Sequence, residues 1–170
     1  MAQVAQRGRD VAQEYRGESR QPVGSHAALL GVYAALVATA ALLARAGGRE
    51  LPEQLSTKDL VLMAVGTHKL SRAITKESVA SPVRAPFTHH GGTGGPAEVM
   101  DEPRGEDGMR HAVGELLTCP FCLDVWVAGL FTVGLVVAPR LTRLVAGSFS
   151  AVAGADFLQL AYAKAQQEVA

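Results

Sequence analysis

Cys119-Pro120-Phe121-Cys122 holds both cysteines of this 170-residue chain. Two thiols separated by two residues support a redox couple or half of a metal site. Thr118 or Cys119 can cap a helix with Pro120 in its first turn. The free N–H groups and the dipole there favour the thiolate. As thiolates the pair supplies two of four tetrahedral zinc ligands, with His68, His89, His90 or His111 to complete the set. The thioredoxin context of a preceding strand is missing, and no second pair of this spacing exists. Both cysteines therefore also read as small packing residues at a helix entry. The candidate thiol or metal site is Cys119, Cys122 and His68. No cofactor is expected unless zinc occupies it.

The second constellation is ionic. His68, Lys69, Arg72 and Lys76 share one helical face, opposite Met63, Gly66, Leu70 and Ile74. Asp124 and Asp156 lie in two other apolar stretches, where an unpaired carboxylate is costly. At a common depth, His68, Arg72, Asp124, Asp156 and Gln159 form a candidate intramembrane polar cluster. It serves as an ion, proton or headgroup site, or as ion pairs that hold helices together.

The elements that position these groups are long and apolar. Residues 27–44 give 18 positions without a charge, about 27 Å of helix against the roughly 30 Å of a bilayer core. Gly31, Ala35 and Thr39 form a small-residue stripe, and Gly47-Gly48 end the run. Ser56 and Asp59 form a helix cap before residues 57–76. That helix is apolar early and basic late, so it spans with its charges turned inward or lies in the interface. Residues 77–115 read as a surface loop with a flexible Gly-Gly-Thr-Gly-Gly linker at 91–95. A third helix covers about 117–138, and a fourth about 141–164 carries the stripe Gly147, Ala151 and Ala155. Trp126 and Tyr162 read as interface anchors. Residues 1–25 and 166–170 are polar tails around a membrane domain at 26–165, with a frayed helix near the N-terminus.

The expected fold is all-α: an integral membrane bundle of about four helices, with a cytoplasmic loop between helices two and three. With 16 basic and 16 acidic residues, no global field draws in nucleic acid. Four crossings put both termini and the central loop on one side with eleven basic residues, Arg20 among them, against five opposite. The positive-inside bias makes that side the cytoplasm, where a permanent disulfide is not expected.

Several blocks together resemble a known family. They are Gly66-Thr67-His68-Lys69-Leu70-Ser71-Arg72, Ile74-Thr75-Lys76, Pro82-Val83-Arg84-Ala85-Pro86-Phe87-Thr88, Glu115-Leu116-Leu117-Thr118-Cys119-Pro120-Phe121-Cys122-Leu123 with Trp126, and Asp156-Phe157-Leu158-Gln159. The chain is similar over about residues 60–163 to the domain of unknown function 1360 family, small bacterial membrane proteins of which some are labelled sporulation-associated. Asp124 stands where that pattern suggests a small residue. The resemblance implies a multi-pass membrane protein and supplies no catalytic residue.

The first functional expectation is a non-enzymatic membrane module that binds a membrane protein partner or copies of itself. A second is a thiol-redox or metal-binding membrane protein using Cys119 and Cys122. A third is an oligomeric permease or channel component built on the polar cluster. A soluble helical protein is the outcome if the second helix defeats spanning.

Overall fold

The computed structural model describes residues 2–16 and 22–169; Arg20 lies outside the described residues. α1 is Ala2–Arg16 and α2 is Val23–Ala46, so helix reaches into what the sequence presents as polar tail. α2 stops in a paired reverse turn: Gly48 N–H bonds Arg45 C=O at 3.0 Å and Arg49 N–H bonds Ala44 C=O at 2.9 Å. Gly48 takes φ +67° there, a conformation that favours glycine.

α3 is Thr57–Lys76, with the expected cap: Ser56 Oγ accepts from Asp59 N–H at 3.1 Å. It is the innermost helix. Gly66, Thr67, Lys69, Ser71 and Thr75 are buried, and it packs against α6 (Pro120–Val137) and α7 (Pro139–Val169). Leu123, Val127, Phe131 and Ala146 form the core, flanked by Leu62, Met63, Leu70 and Ile74 from the apolar face of α3. Gly66 permits a close approach of α3 and α7: a Cβ there would stand 3.0 Å from the Ala146 carbonyl oxygen. Buried Thr67 Oγ1 has no hydrogen-bond partner among the described residues, but two other buried hydroxyls on this helix donate to its own backbone, Ser71 to Thr67 C=O at 2.7 Å and Thr75 to Ser71 C=O at 2.8 Å. Those two groups can therefore be buried without loss of hydrogen bonding.

Residues 77–115 are not a plain loop, and the fold is not wholly α. A 3₁₀ turn at Ser78–Ala80 leads into α4 (Ser81–Arg84), then a two-stranded antiparallel hairpin of β1 (Thr88–Thr93) and β2 (Val99–Pro103). Thr88 pairs with Pro103 and His90 with Asp101, with a bulge between His90 and Gly92. The glycines expected to form a linker lie in and beside the hairpin, two of them, Gly91 and Gly94, in tight quarters. A Cβ on Gly91 would meet the Met100 carbonyl oxygen at 3.1 Å, and one on Gly94 the Met100 side chain at 3.2 Å.

The third expected helix is two. α5 (Gly108–Thr118) ends before Cys119, which is extended at φ −106° and ψ 104°, and α6 begins at Pro120. Proline lacks the N–H that would continue α5 and disfavours helical geometry in the residue before it. α6 and α7 meet at Ala138.

Among the described residues, three helices are long and apolar enough to cross a membrane: Val23–Ala46, Pro120–Val137 and Pro139–Glu168. The chain is thus mostly helical with three candidate spans, a membrane-associated architecture by length and composition. α3 is not among them.

Candidate functional site

Two cavities frame the chemistry. The first, about 580 Å³, lies between the basic end of α3, the C-terminal half of α7 and the hairpin turn. His68, Arg72, Asp156 and Gln159 of the expected cluster line it, joined by Lys69, Glu77 and Glu98. The pairings differ from the expected ones. Lys69 sits centrally, its Nζ 2.7 Å from Asp156 Oδ2 and paired as well with Glu77. Arg72 pairs with Glu98 on the hairpin. Asp124 does not line this cavity; it accepts from buried Ser71 on another side of α3. Helical spacing explains the difference, because Ser71 and Arg72 stand about 100° apart on the wheel and serve different neighbours.

The hairpin is pinned from beneath by Arg84, whose side chain is wholly buried. Its guanidinium donates to Asp101 Oδ2 at 2.8 Å, Ile74 C=O at 2.7 Å and Glu77 C=O at 2.9 Å. One residue thereby ties the end of α3 to β2. Burial pushes the Asp101 carboxyl up, but its hydrogen bond and charge pairing with Arg84 outweigh that and hold it below the usual carboxylate range. His90, 3.4 Å away, acts in the same direction. At the opposite end of α3, Arg143 reaches Asp59 with two hydrogen bonds of 2.7 and 2.9 Å.

The second cavity, about 610 Å³, lies between α2, α5 and the start of α6. Its lining is chiefly apolar, with Leu29, Leu30, Leu116 and Val125 prominent. Cys119 and Cys122 line it too, joined as a disulfide. Cys119 caps α6 as expected, its Sγ accepting from Cys122 N–H at 3.2 Å. The reducing-compartment argument for free thiols is thus not what the structure displays: the extended cap residue brings both sulfurs to one side of the first turn. His26 Nε2 lies 2.6 Å from Glu115 Oε2 on the same cavity. Trp126 packs edge-on against Tyr33 with ring centroids 5.2 Å apart, and Gly129 leaves room for the Tyr33 ring. Trp126 is therefore a packing residue at the core edge, whereas Tyr162 is exposed.

The zinc ligand set does not assemble. His68 lines the ionic cavity, apart from the cysteines. His89 and His90 pair with Glu102 and Asp101 across the hairpin, and His111 bonds Gly105 C=O at 2.9 Å. Among the described residues, no three His, Cys, Asp or Glu side chains are grouped to hold a metal ion.

Comparison with known families matches residues 62–162 to one described as a protein of unknown function, DUF1360. The chain belongs to the DUF1360 family. No curated protein matches the chain, and no solved structure does. The DUF1360 stretch contains every charged group of the ionic cavity and the whole of the Arg84 tie. It excludes α2, so His26 and Tyr33 of the apolar cavity lie outside it.

Sequence reasoning missed Glu77, Glu98 and the Arg84–Asp101 pair, and it left Lys69 out of the cluster. A signal for Lys69 was present, since it shares a face with Arg72. Nothing in the spacing of the loop carboxylates points to α3. His26 and Glu115 are 89 residues apart, and no local pattern links them.

Proposed function

We propose that this DUF1360 protein is a multi-pass protein of the bacterial inner membrane that acts without catalysis, by assembling with copies of itself or a membrane protein partner. In this reading α2, α3, α6 and α7 cross as a four-helix unit, α3 shielded from lipid by α6 and α7. Both termini and the hairpin stand on the cytoplasmic side. One observation carries the proposal: the small-residue faces of α2 and α7 have no partner among the described residues. A Cβ on Gly31 or Gly147 would meet nothing within 4 Å, and Ala35, Ala151 and Ala155 are exposed. Gly66, Gly129 and Gly134, by contrast, each abut a neighbouring helix. Small residues are where helices approach one another in lipid, so the two open faces suit an intermolecular contact. Crosslinking in native membranes tests this. The wild type should give a discrete adduct that Gly31→Leu with Gly147→Leu removes while thermal stability is kept. A monomer with no adduct sinks the reading.

A second reading has its own support. The Cys119–Cys122 disulfide beside an apolar cavity favours a thiol-redox membrane protein. Thiol trapping in cells checks it: the pair should change state with an added dithiol.

A further inference from the structure

We propose that the apolar cavity receives the ring of an isoprenoid quinone, and that Cys119 and Cys122 are the two-electron couple that reduces it. This rests on the thiol-redox reading and names its substrate.

The argument begins with the cavity's contents. About 610 Å³ between α2, α5 and α6 is within the range that holds a small organic molecule. The walls are mostly aliphatic and aromatic, so the occupant must be largely apolar. Leu30 and Val125 line the cavity, yet are 66% and 53% exposed on helices of membrane-spanning length. A ligand dissolved among acyl chains can therefore enter sideways and leave a long tail outside. The Tyr33–Trp126 pair contributes aromatic surface to the wall, suited to a flat ring. These features describe a lipid-soluble planar molecule.

The reactive group narrows the class. A dithiol that closes to a disulfide gives up two electrons and two protons. The partner must accept both electrons and be soluble in the bilayer, and a quinone does this at its two carbonyl oxygens. In the forward step the S–H bonds of Cys119 and Cys122 break and the S–S bond forms. The quinone gains two hydrogens and becomes quinol. His26 and Glu115, hydrogen-bonded at 2.6 Å on the same wall, supply a route for the protons.

The couple is recharged from water. Cys122 is exposed, and Phe121 beside it is 82% exposed. A dithiol in the aqueous phase attacks the disulfide, passes through a mixed disulfide and leaves as a disulfide itself. Both cysteines then hold S–H again. Electrons thus run from aqueous dithiol to membrane quinone, with atoms and charge balanced at each step.

The full-length protein in lipid nanodiscs tests this by single turnover. It is reduced with dithiothreitol, freed of reductant, and mixed anaerobically with decyl-benzoquinone. The expected result is one quinone lost per chain together with two thiols. Cys122→Ser should abolish the reaction. Leu30→Trp and Val125→Trp, both at exposed rim positions, should each slow quinone loss about tenfold. The reaction with oxidised glutathione, which reaches exposed Cys122 from water, should be slowed far less than that with the quinone in both variants. Two results overturn the proposal and are distinguishable. If glutathione oxidises the thiols but quinone does not, or if both tryptophan variants react with quinone at full rate, the quinone assignment fails and the thiol-redox reading stands. If dithiothreitol cannot open the disulfide in the folded protein, both fail.

Discussion

The two cavities are nearly equal in size and opposite in chemistry. In the ionic one the charges are spent on one another: Lys69 holds Asp156 and Glu77, and Arg72 holds Glu98. In the apolar one a His26–Glu115 pair and a disulfide stand against an aliphatic wall. Mutually satisfied charges hold elements together and leave little capacity for a ligand. A disulfide in a chiefly apolar wall is open to the thiol chemistry proposed above. The contrast supports a structural reading of the first cavity and the thiol chemistry proposed for the second.

The assignment is broken most severely at Arg84. Arg84→Met removes a wholly buried cation and leaves Asp101, itself 7% exposed, with its principal charge partner gone. Deleting one partner of a buried ion pair costs about 3–5 kcal/mol. The hairpin should detach from α3, and limited proteolysis should cut within residues 88–103 far faster than in the wild type. Acid should produce the same event. Asp101 has a depressed carboxyl pKa when folded, so its contribution is present above about pH 4 and is lost as pH falls through the folded value. Protease sensitivity of the hairpin should rise over that range. Asp101→Asn should remove that part of the acid dependence while leaving the hairpin weakened at neutral pH. In every case the Cys119–Cys122 couple should react as before.

Gly114 couples the two halves, and its substitution sharpens the comparison differently. A Cβ there would lie 2.7 Å from the Phe87 carbonyl oxygen and 2.9 Å from Pro103 Cβ. Gly114→Ala must therefore push α5 away from the hairpin, at about 1–3 kcal/mol. Because α5 also carries Glu115, this single methyl should disturb both cavities. A thermal shift with an unchanged thiol rate would argue that the halves are independent.

Lys69→Met acts on the ionic side alone. It strands Asp156 and Glu77, but their side chains are 43% and 32% exposed, so water screens the loss and about 1–2 kcal/mol is expected. A fall in detergent melting temperature, partly restored by adding Asp156→Asn, checks it. Full quinone reactivity in this variant would confirm that the charges serve the fold.

How much of this could be read in the sequence follows from where the information lies. The apolar runs at α2, α6 and α7, the Ser56 cap and the core face Met63, Leu70 and Ile74 are local patterns with a helical period, and the structure bears them out. So is the Cys119 cap, because a proline at the second position dictates it locally. The hairpin was missed because Gly91 and Gly94 stand in tight contact with Met100 and Gly91 also with Glu102, whereas in sequence they read as flexibility. The structure brings together His68, Arg72, Asp156 and Gln159 of the expected cluster, but not Asp124, for the same reason. The α3 face told which residues point together, but Glu77 and Glu98 are delivered by that unforeseen hairpin. Asp124 was grouped by depth alone, and depth does not say which side of α3 a neighbour occupies.

The smallest stability effect belongs to the residues with the most chemistry. Replacing Cys119 and Cys122 with serine removes a disulfide whose loop spans a sequence separation of three. Cross-links gain stability from the chain entropy they remove, and that gain shrinks with loop length, so at most about 2 kcal/mol is expected here. Pro120 already restricts the same turn, and a serine hydroxyl at 119 can still accept from the 122 N–H in place of the sulfur. The double variant should therefore keep its melting temperature within a few degrees while losing all thiol chemistry. A large loss of stability would mean that the disulfide holds the α5–α6 joint together, and the contrast between a structural and a reactive cavity would collapse.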